Sequence, residues 1–473
     1  MDQTTLETLE YPAVLSELAV RTSTPEGRER VEGLAPHADI GRIEESRTEF
    51  AETSGIIKAS GRLPLGGVSD LRGLLARIDP AGSYLLPEEL IKIRDNLGAS
   101  ARLRYTLTPQ FARDYRLISS RMEALSDQSP LASELNRIID EKGEIADSAS
   151  PALSRIRREI RSNRARARSI LDELTVERQY AESIQEDYVT IRDDRYVISV
   201  KSGMHGRMDG IIHGRSNSGS TYFVEPFRLV EINNGIAILK KEEKAEEVEI
   251  LKNATRKVLG SRVELLADQG IIAGLDCAQA KVLFAADIDA TMPVVLGRGD
   301  VDLKGARHPL LVLKEGRCGE RVTPIDIRIK EGRRTLVISG ANTGGKTVAL
   351  KTLGLLTLMA LSGIPVPVEG SSTAVAFSAV FADIGDRQDI IASLSTFSAH
   401  IKRIKEFLTL AGAGSLVLMD EIGAGTDPSE GSAFALAALE AFMERGATAV
   451  VTTHSNILKA HAQTDPDYMN AAV

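Results

Sequence analysis

Cysteine is scarce in this chain: Cys277 and Cys318 are its only two, far apart and in no metal-ligand spacing. That excludes a disulfide framework and a cysteine-based zinc site, and both thiols are read as reduced, in a cytoplasmic setting. Net positive charge is lacking too. The formal charge is −8, with an isoelectric point near 5.6, so any surface for an anionic polymer must be local. No long apolar run is present. The most apolar stretch, Leu353 to Val368, is broken by glycine, serine and two prolines, which predicts a buried helix and no membrane span. The start, MDQTTLETLE, is acidic and is not a signal peptide. Solenoid repeats and low-complexity segments are absent as well.

What is present is an ordinary globular balance, 43% hydrophobic and 26% charged over 473 residues, enough for several domains. The most informative stretch is TLVISGANTGGKT, Thr335 to Thr347. Thr335 to Ser339 is β-branched and apolar and reads as a buried strand. Gly340, Ala341, Asn342, Thr343, Gly344, Gly345, Lys346 and Thr347 follow, and then an apolar helix through Ala349, Leu350, Leu353 and Leu356. Strand, glycine-rich loop and helix with this spacing form a P-loop pattern. Glycines let the backbone approach a ligand, and loop amides with the helix N-terminus make an anion hole for phosphates. Lys346 then reaches the β- and γ-phosphates of ATP, and the Thr347 hydroxyl takes a place on Mg²⁺.

Two further strands strengthen this reading. Ser415 to Met419, SLVLM, ends in Asp420 and Glu421. Asp420 is expected on the Mg²⁺ side of the phosphates, with Glu421 orienting or deprotonating the attacking water. Ala449 to Thr453 is the third strand, and His454 after it is expected at the γ-phosphate. Three strands that each deliver such a group at the carboxyl end describe a doubly wound sheet with its ligand at the strand ends.

Residues 1 to about 130 read as a helical core, with helices near 41–59, 69–78, 87–105 and 110–125. From about 131 to 187 the pattern predicts one long helix, with Leu153, Ile156, Ile160, Ala167, Leu171 and Leu174 in heptad-like spacing. Within it stand seven arginines, Arg155, Arg157, Arg158, Arg161, Arg164, Arg166 and Arg168, opposed locally by Glu159 alone. Such a run can be the solvated face of a coiled coil. Its density in an acidic chain favours contact with a phosphate backbone. From 188 to 228 the period changes to two. Pairs at Tyr188–Ile191 with Tyr196–Val200, and Gly210–His213 with Ser220–Val224, predict a small antiparallel β-module. A helix from Leu229 to about Leu266 and another over 271–290 return toward a final region. There Arg307–Leu311 and Val322–Asp326 are expected as strands leading into the P-loop strand. The fold class expected is therefore multidomain. A helical core or lever spans 1–130, and an ascending arm 131–187 carries a β clamp module at 188–228. A returning arm and core follow at 229–299, and 300–473 forms an α/β P-loop ATPase domain.

The order GANTGGKT, STFSAHI at 395–401, LVLMDEIGAGTDPSEG at 416–431 and TTHS at 452–455 resembles the MutS ATPases, a branch of the ABC-type class. LEYPAVLSELA, RLPLGGVSDLRGLLARID, DRYVISVK and YFVEPFRLVEINN resemble the MutS-two branch, so the likeness covers essentially the whole chain. It implies a homodimer with two ATP and Mg²⁺ sites, each completed in trans by the partner's signature segment beginning at Ser395. It places Asn342 and Gln388 at γ-phosphate and Q-loop contacts, His308 and Pro309 near the adenine, and Gly425, Thr426 and Asp427 along the dimer interface. The chain starts directly with the helical core, so a mismatch-reading domain is not expected. An Smr nuclease domain and the family's dimerising helices are expected to lie beyond Val473.

Three functions fit these features. One is a clamp on branched or recombining DNA that suppresses recombination. Another is a ribosome-associated ATPase that splits collided ribosomes, using the arginines on ribosomal RNA. The third, an SMC-like ATPase with a protein-binding arm tip, is disfavoured by the short arm and the β-module at its tip.

Overall fold

A computed structural model describes the chain except residues 79–82, 186–189, 320, 341–344, 386–395 and 425, and gives the backbone alone at 316–318 and 396–399. It is rich in helix, carries several small sheets, and divides into two compact units. One unit is Ser69–Ala101 with Asp127–Leu266. The other is Met1–Val68, Arg102–Ser126 and Ala267–Val473.

The first of these units is built on two long helices, Pro151–Val176 and Phe227–Gly260. Ser150 caps the former, accepting from the Leu153 amide at 3.0 Å, and Pro151 fills the first turn, where no amide is needed. The six heptad-spaced apolar residues are the ones it buries. The two helices run antiparallel. Ser150 meets Glu246, Arg157 meets Glu243 and Glu247, and Arg228 meets Glu173 and Glu177. Two separate apolar clusters flank this pair. One joins Leu153, Ile250, Leu251 and Val258 to Leu71, Leu90 and Leu135. The other joins Leu171, Leu174, Leu229 and Ile236 to the β-module through Tyr196, Ile198 and Val224. Between them, no residue of 237–249 in the returning helix is fully buried.

The β-module has the strand order β1-β2-β4-β3, with β1 Thr190–Arg192, β2 Arg195–Lys201, β3 Gly210–Arg215 and β4 Thr221–Pro226, all antiparallel. Glu225, fully buried, accepts from Arg195 at 2.8 Å and Asn233 at 2.8 Å, and His213 lies at 2.5 Å. These partners outweigh desolvation and hold its carboxyl below the usual range. Tyr188 and Val189 of the expected first strand lie outside the described residues.

In the other unit, a four-stranded sheet has the order β5-β9-β6-β7, from β5 Val294–Leu296, β6 Val301–Ala306, β7 Ile325–Ile329 and β9 Thr373–Val375. A second sheet has the order β10-β11-β12-β8-β13, wholly parallel, from β8 Thr335–Ser339, β10 Ala379–Asp383, β11 Ser415–Met419, β12 Thr448–Thr453 and β13 Tyr468–Ala472. The period of two decides its packing. Leu336, Ile338, Leu416, Leu418 and Val450 face the helix Lys346–Leu361 and the N-terminal helices with Leu9, Val14 and Leu18. Val337, Val417, Met419, Ala449 and Val451 face Phe407, Leu439, Phe442 and Leu458. Gly354 lets the helix lie close, since a Cβ there would stand 2.5 Å from Leu418 and 2.6 Å from Leu9.

Several expected elements differ. The single helix from 131 is two, Ser129–Ile138 and Pro151–Val176, parted by a tight turn whose Ile139 and Ile145 bridge. The turn is built by Asp140, which accepts from the amides of Lys142 and Glu144. The span 110–125 breaks at Tyr115. Residues 307–311 do not form a strand; Pro309 opens the helix Pro309–Cys318, and the strand expected at 322–326 is Ile325–Ile329. The apolar helix expected at 271–290 begins already at Arg262.

Candidate functional site

The parallel sheet sets the site. β8, β11 and β12 are neighbours in register, so their carboxyl ends lie side by side. Gly345, at φ +83°, turns the chain into the helix that begins at Lys346. Lys346 Nζ donates to Gly340 O at 3.0 Å and meets His454 Nε2 at 2.5 Å. Burial lowers the Lys346 pKa, against the opposing pull of Glu421 and Asp420. Since the ammonium can only donate, Nε2 of His454 accepts here. That nitrogen lies 3.5 Å from Glu421 Oε1, too long for a strong hydrogen bond.

Asp420 is held from both sides. Thr347 Oγ1 donates to its Oδ2 at 2.7 Å, and Thr452 Oγ1 donates to its Oδ1. The Asp420 amide donates to Asp383 O at 2.9 Å. Glu421 adopts φ +49°, a left-handed conformation rare for a residue with a side chain. Its amide donates to Thr452 Oγ1 at 2.8 Å. Beside these, His400 Nδ1 lies 2.6 Å from Asp383 Oδ2, and a water-sized cavity of about 10 Å³ is lined by Asp383, His400, Asp420, Glu421 and Phe434.

A second cavity, of about 560 Å³, adjoins Gly345 and the first turns of the same helix through Val348 and Thr352. A volume of that order holds a small organic ligand. His308 lines it. The ring is 5% exposed, and both its nitrogens have no hydrogen-bond partner among the described residues. Burial pushes its pKa down to about 4, so the imidazole is neutral. Behind it Glu10 Oε2 lies 4.0 Å from His308 Nε2, and Lys351 donates to Glu10 at 2.8 Å.

The structure therefore brings together Gly340, Gly345, Lys346, Thr347, Asp420, Glu421 and His454, with His308 in the adjoining cavity wall. Ala341, Asn342, Thr343, Gly344, Gln388, Ser395 and Gly425 lie outside the described residues. Thr452, Asp383 and His400 were given no role by sequence reasoning. Their signal was weak: a second threonine in a TTHS run, an acid at a strand end and a histidine within a helix. For Mg²⁺, hydroxyl and carboxylate oxygens are suitable hard donors, and one or two carboxylates suffice when phosphates supply the rest. Among the described residues, no group of three or more His, Cys, Asp or Glu is placed to hold a metal ion.

The seven arginines separate into two kinds. Arg157 is half-buried and bound to Asp147, Glu243 and Glu247 at 2.7–2.9 Å, and to Ile145 O at 2.7 Å. Its opposition is thus larger than Glu159 alone, because the partners come from other elements. Arg161 shares Asp147 at 2.9 Å and Arg155 pairs with Glu159 at 3.4 Å. Arg158, Arg164, Arg166 and Arg168 are exposed, with no ion pair among the described residues. At 100° per residue Arg158, Arg161, Arg164 and Arg168 share one flank of the helix. No helix among the described residues is long and apolar enough to cross a membrane.

Residues 336–473 match the family described as MutS domain V. Over its whole length the chain is 38% identical to an Endonuclease MutS2 of Halothermothrix orenii, covering 60% of that protein. It is 39% identical to an Endonuclease MutS2 of Shouchella clausii over 98% of this chain and 59% of the other. A Putative endonuclease MutS2 of Bacillus subtilis is 40% identical over 100% of this chain and 60% of its own. The chain spans about 60% of the length of these curated relatives.

Proposed function

Because the chain is a MutS2-type member of the MutS family, we propose that it hydrolyses ATP with Mg²⁺ and binds DNA. The observation that carries the first part is the meeting of Lys346, Thr347, Asp420, Glu421 and His454 at the carboxyl ends of three neighbouring parallel strands. Lys346 binds the β- and γ-phosphates. Among its partners are a carbonyl and an imidazole nitrogen, acceptors that a charged phosphate outcompetes. Thr347 and Asp420 would hold Mg²⁺, which neutralises phosphate charge when bound. Glu421 takes the proton of the attacking water, and His454 contacts the γ-phosphate. The cavity at His308 takes the adenine. Asn342, Gln388 and the partner's Ser395 complete the site in a homodimer, with Gly425, Thr426 and Asp427 along the interface.

For DNA, the exposed flank of Arg158, Arg161, Arg164 and Arg168 is the proposed phosphate-backbone contact. The antiparallel helices and β-module act as the arm and clamp of a dimer on branched DNA, a role that restrains recombination. The test is a gel shift on four-way junctions beside co-sedimentation with ribosomes. Junction binding that weakens on losing these arginines supports the reading. Co-sedimentation with ribosomes and no junction binding overturns it.

A further inference from the structure

Thr452 is fully buried, and its one hydroxyl serves two neighbours at once. It donates to Asp420 Oδ1 and accepts the Glu421 amide at 2.8 Å. A hydroxyl has one proton and two lone pairs, so this use of it is complementary. Both bonds run from β12 across to the end of β11, its sheet neighbour. Asp420 and Glu421 have different problems that this hydroxyl solves. Asp420 needs its carboxylate turned so that Oδ2 faces Thr347. Glu421 stands at φ +49°, a backbone state that costs energy and persists only where surroundings impose it. Among the described residues, the Glu421 backbone N–H donates to Thr452 Oγ1 alone.

We propose that Thr452 is a positioning residue for both acids, fixing the orientation of the Asp420 carboxylate and the left-handed backbone of Glu421. This rests on the ATPase reading above. Thr452 touches no phosphate in this scheme and acts only through its two neighbours. Misplacing a base by an ångström costs turnover far more than it costs binding. Loss of the hydroxyl should therefore separate kcat from nucleotide affinity. The apparent affinity for Mg²⁺ should fall as well, because Asp420 loses the bond that aims it.

The test compares Thr452→Val, a near-isosteric exchange, with Thr452→Ser, which keeps the hydroxyl. Measured are steady-state ATP hydrolysis against Mg²⁺ concentration, binding of a fluorescent ATP analogue, and thermal melting. Thr452→Val should lower kcat by roughly 10- to 100-fold and raise the Mg²⁺ concentration for half-maximal rate, with analogue affinity within about threefold of the parent. Thr452→Ser should recover most of the parent kcat and its Mg²⁺ dependence. A Thr452→Val protein with parent kcat and Mg²⁺ dependence overturns the proposal. So does Thr452→Ser that is as slow as Thr452→Val while melting at the parent temperature. If Thr452→Val does not fold, Thr452→Ala carries the same comparison. Failure of the ATPase reading itself looks different: the unmodified chain would then neither bind the analogue nor hydrolyse ATP.

Discussion

Lys346 is buried, which lowers its pKa, and Glu421 and Asp420 offset part of that desolvation. Lys346→Ala should abolish binding of a fluorescent ATP analogue, since two phosphates lose their cation. Glu421→Gln should keep that binding and reduce turnover at least 100-fold, because an amide cannot accept the water's proton. A Glu421→Gln rate equal to the parent would remove Glu421 from the role of base. His308 gives a pH signature of a different kind. Its folded pKa, near 4, lies below the ordinary value of 6.5. The unfolded chain therefore binds the proton first, and stability falls as pH drops from about 6.5 to about 4. The loss is up to about 3 kcal/mol and is complete below that range. His308→Gln should flatten this part of the urea-denaturation profile, and an unchanged profile would show that another group titrates.

Among the elements, the arginine helix invites a split experiment. Arg157→Ala should leave the salt slope of DNA binding unaltered and lower stability, by roughly 1–3 kcal/mol, because three acids lose a shared cation. Arg158→Ala with Arg164→Ala and Arg168→Ala should do the reverse, reducing the salt slope by up to about 0.9 for each phosphate no longer neutralised. Equal slopes for both variants would leave the flank as a solvated face. The same helix shows what a sequence displays and what it hides. The buried stripe from Leu153 to Leu174 was legible, because period and apolarity are local. The partners of Arg157 were not, since Glu243 and Glu247 lie on the returning helix. In the sheet, Thr335–Ser339 and Ser415–Met419 were readable to the residue as short apolar runs ending in chemistry. Residues 307–311 misled because Pro309 can open a helix as readily as it can edge a strand, and three apolar residues do not reveal their period. Thr452 was hidden for the same reason as the partners of Arg157: its meaning is a cross-strand bond.

At the scale of the whole molecule, Lys346, Thr347, Asp420, Glu421 and His454 all stand at the carboxyl end of one sheet, so the proposed γ-phosphate needs a second side. If the partner's Ser395 supplies it, mixing Lys346→Ala with Ser395→Arg chains should restore part of the turnover that each alone lacks. In that heterodimer one site carries both lesions and the other carries neither. No recovery, at concentrations where sedimentation shows dimers, would place Ser395 in its own chain's site or in none. The helix pair has a consequence of its own. Its two apolar clusters are separated by a stretch joined through Arg157 and its acids. Besides the buried Ile156 and Ile160, cohesion there rests on ion pairs, which weaken with salt or acid, whereas the apolar clusters on either side do not. Hydrogen exchange should therefore find two cooperative units along one continuous helix, with amides of residues 237–249 exchanging faster than those flanking them. Raising the ionic strength should widen that gap, so that the β-module end can open and close as a body without melting the other end.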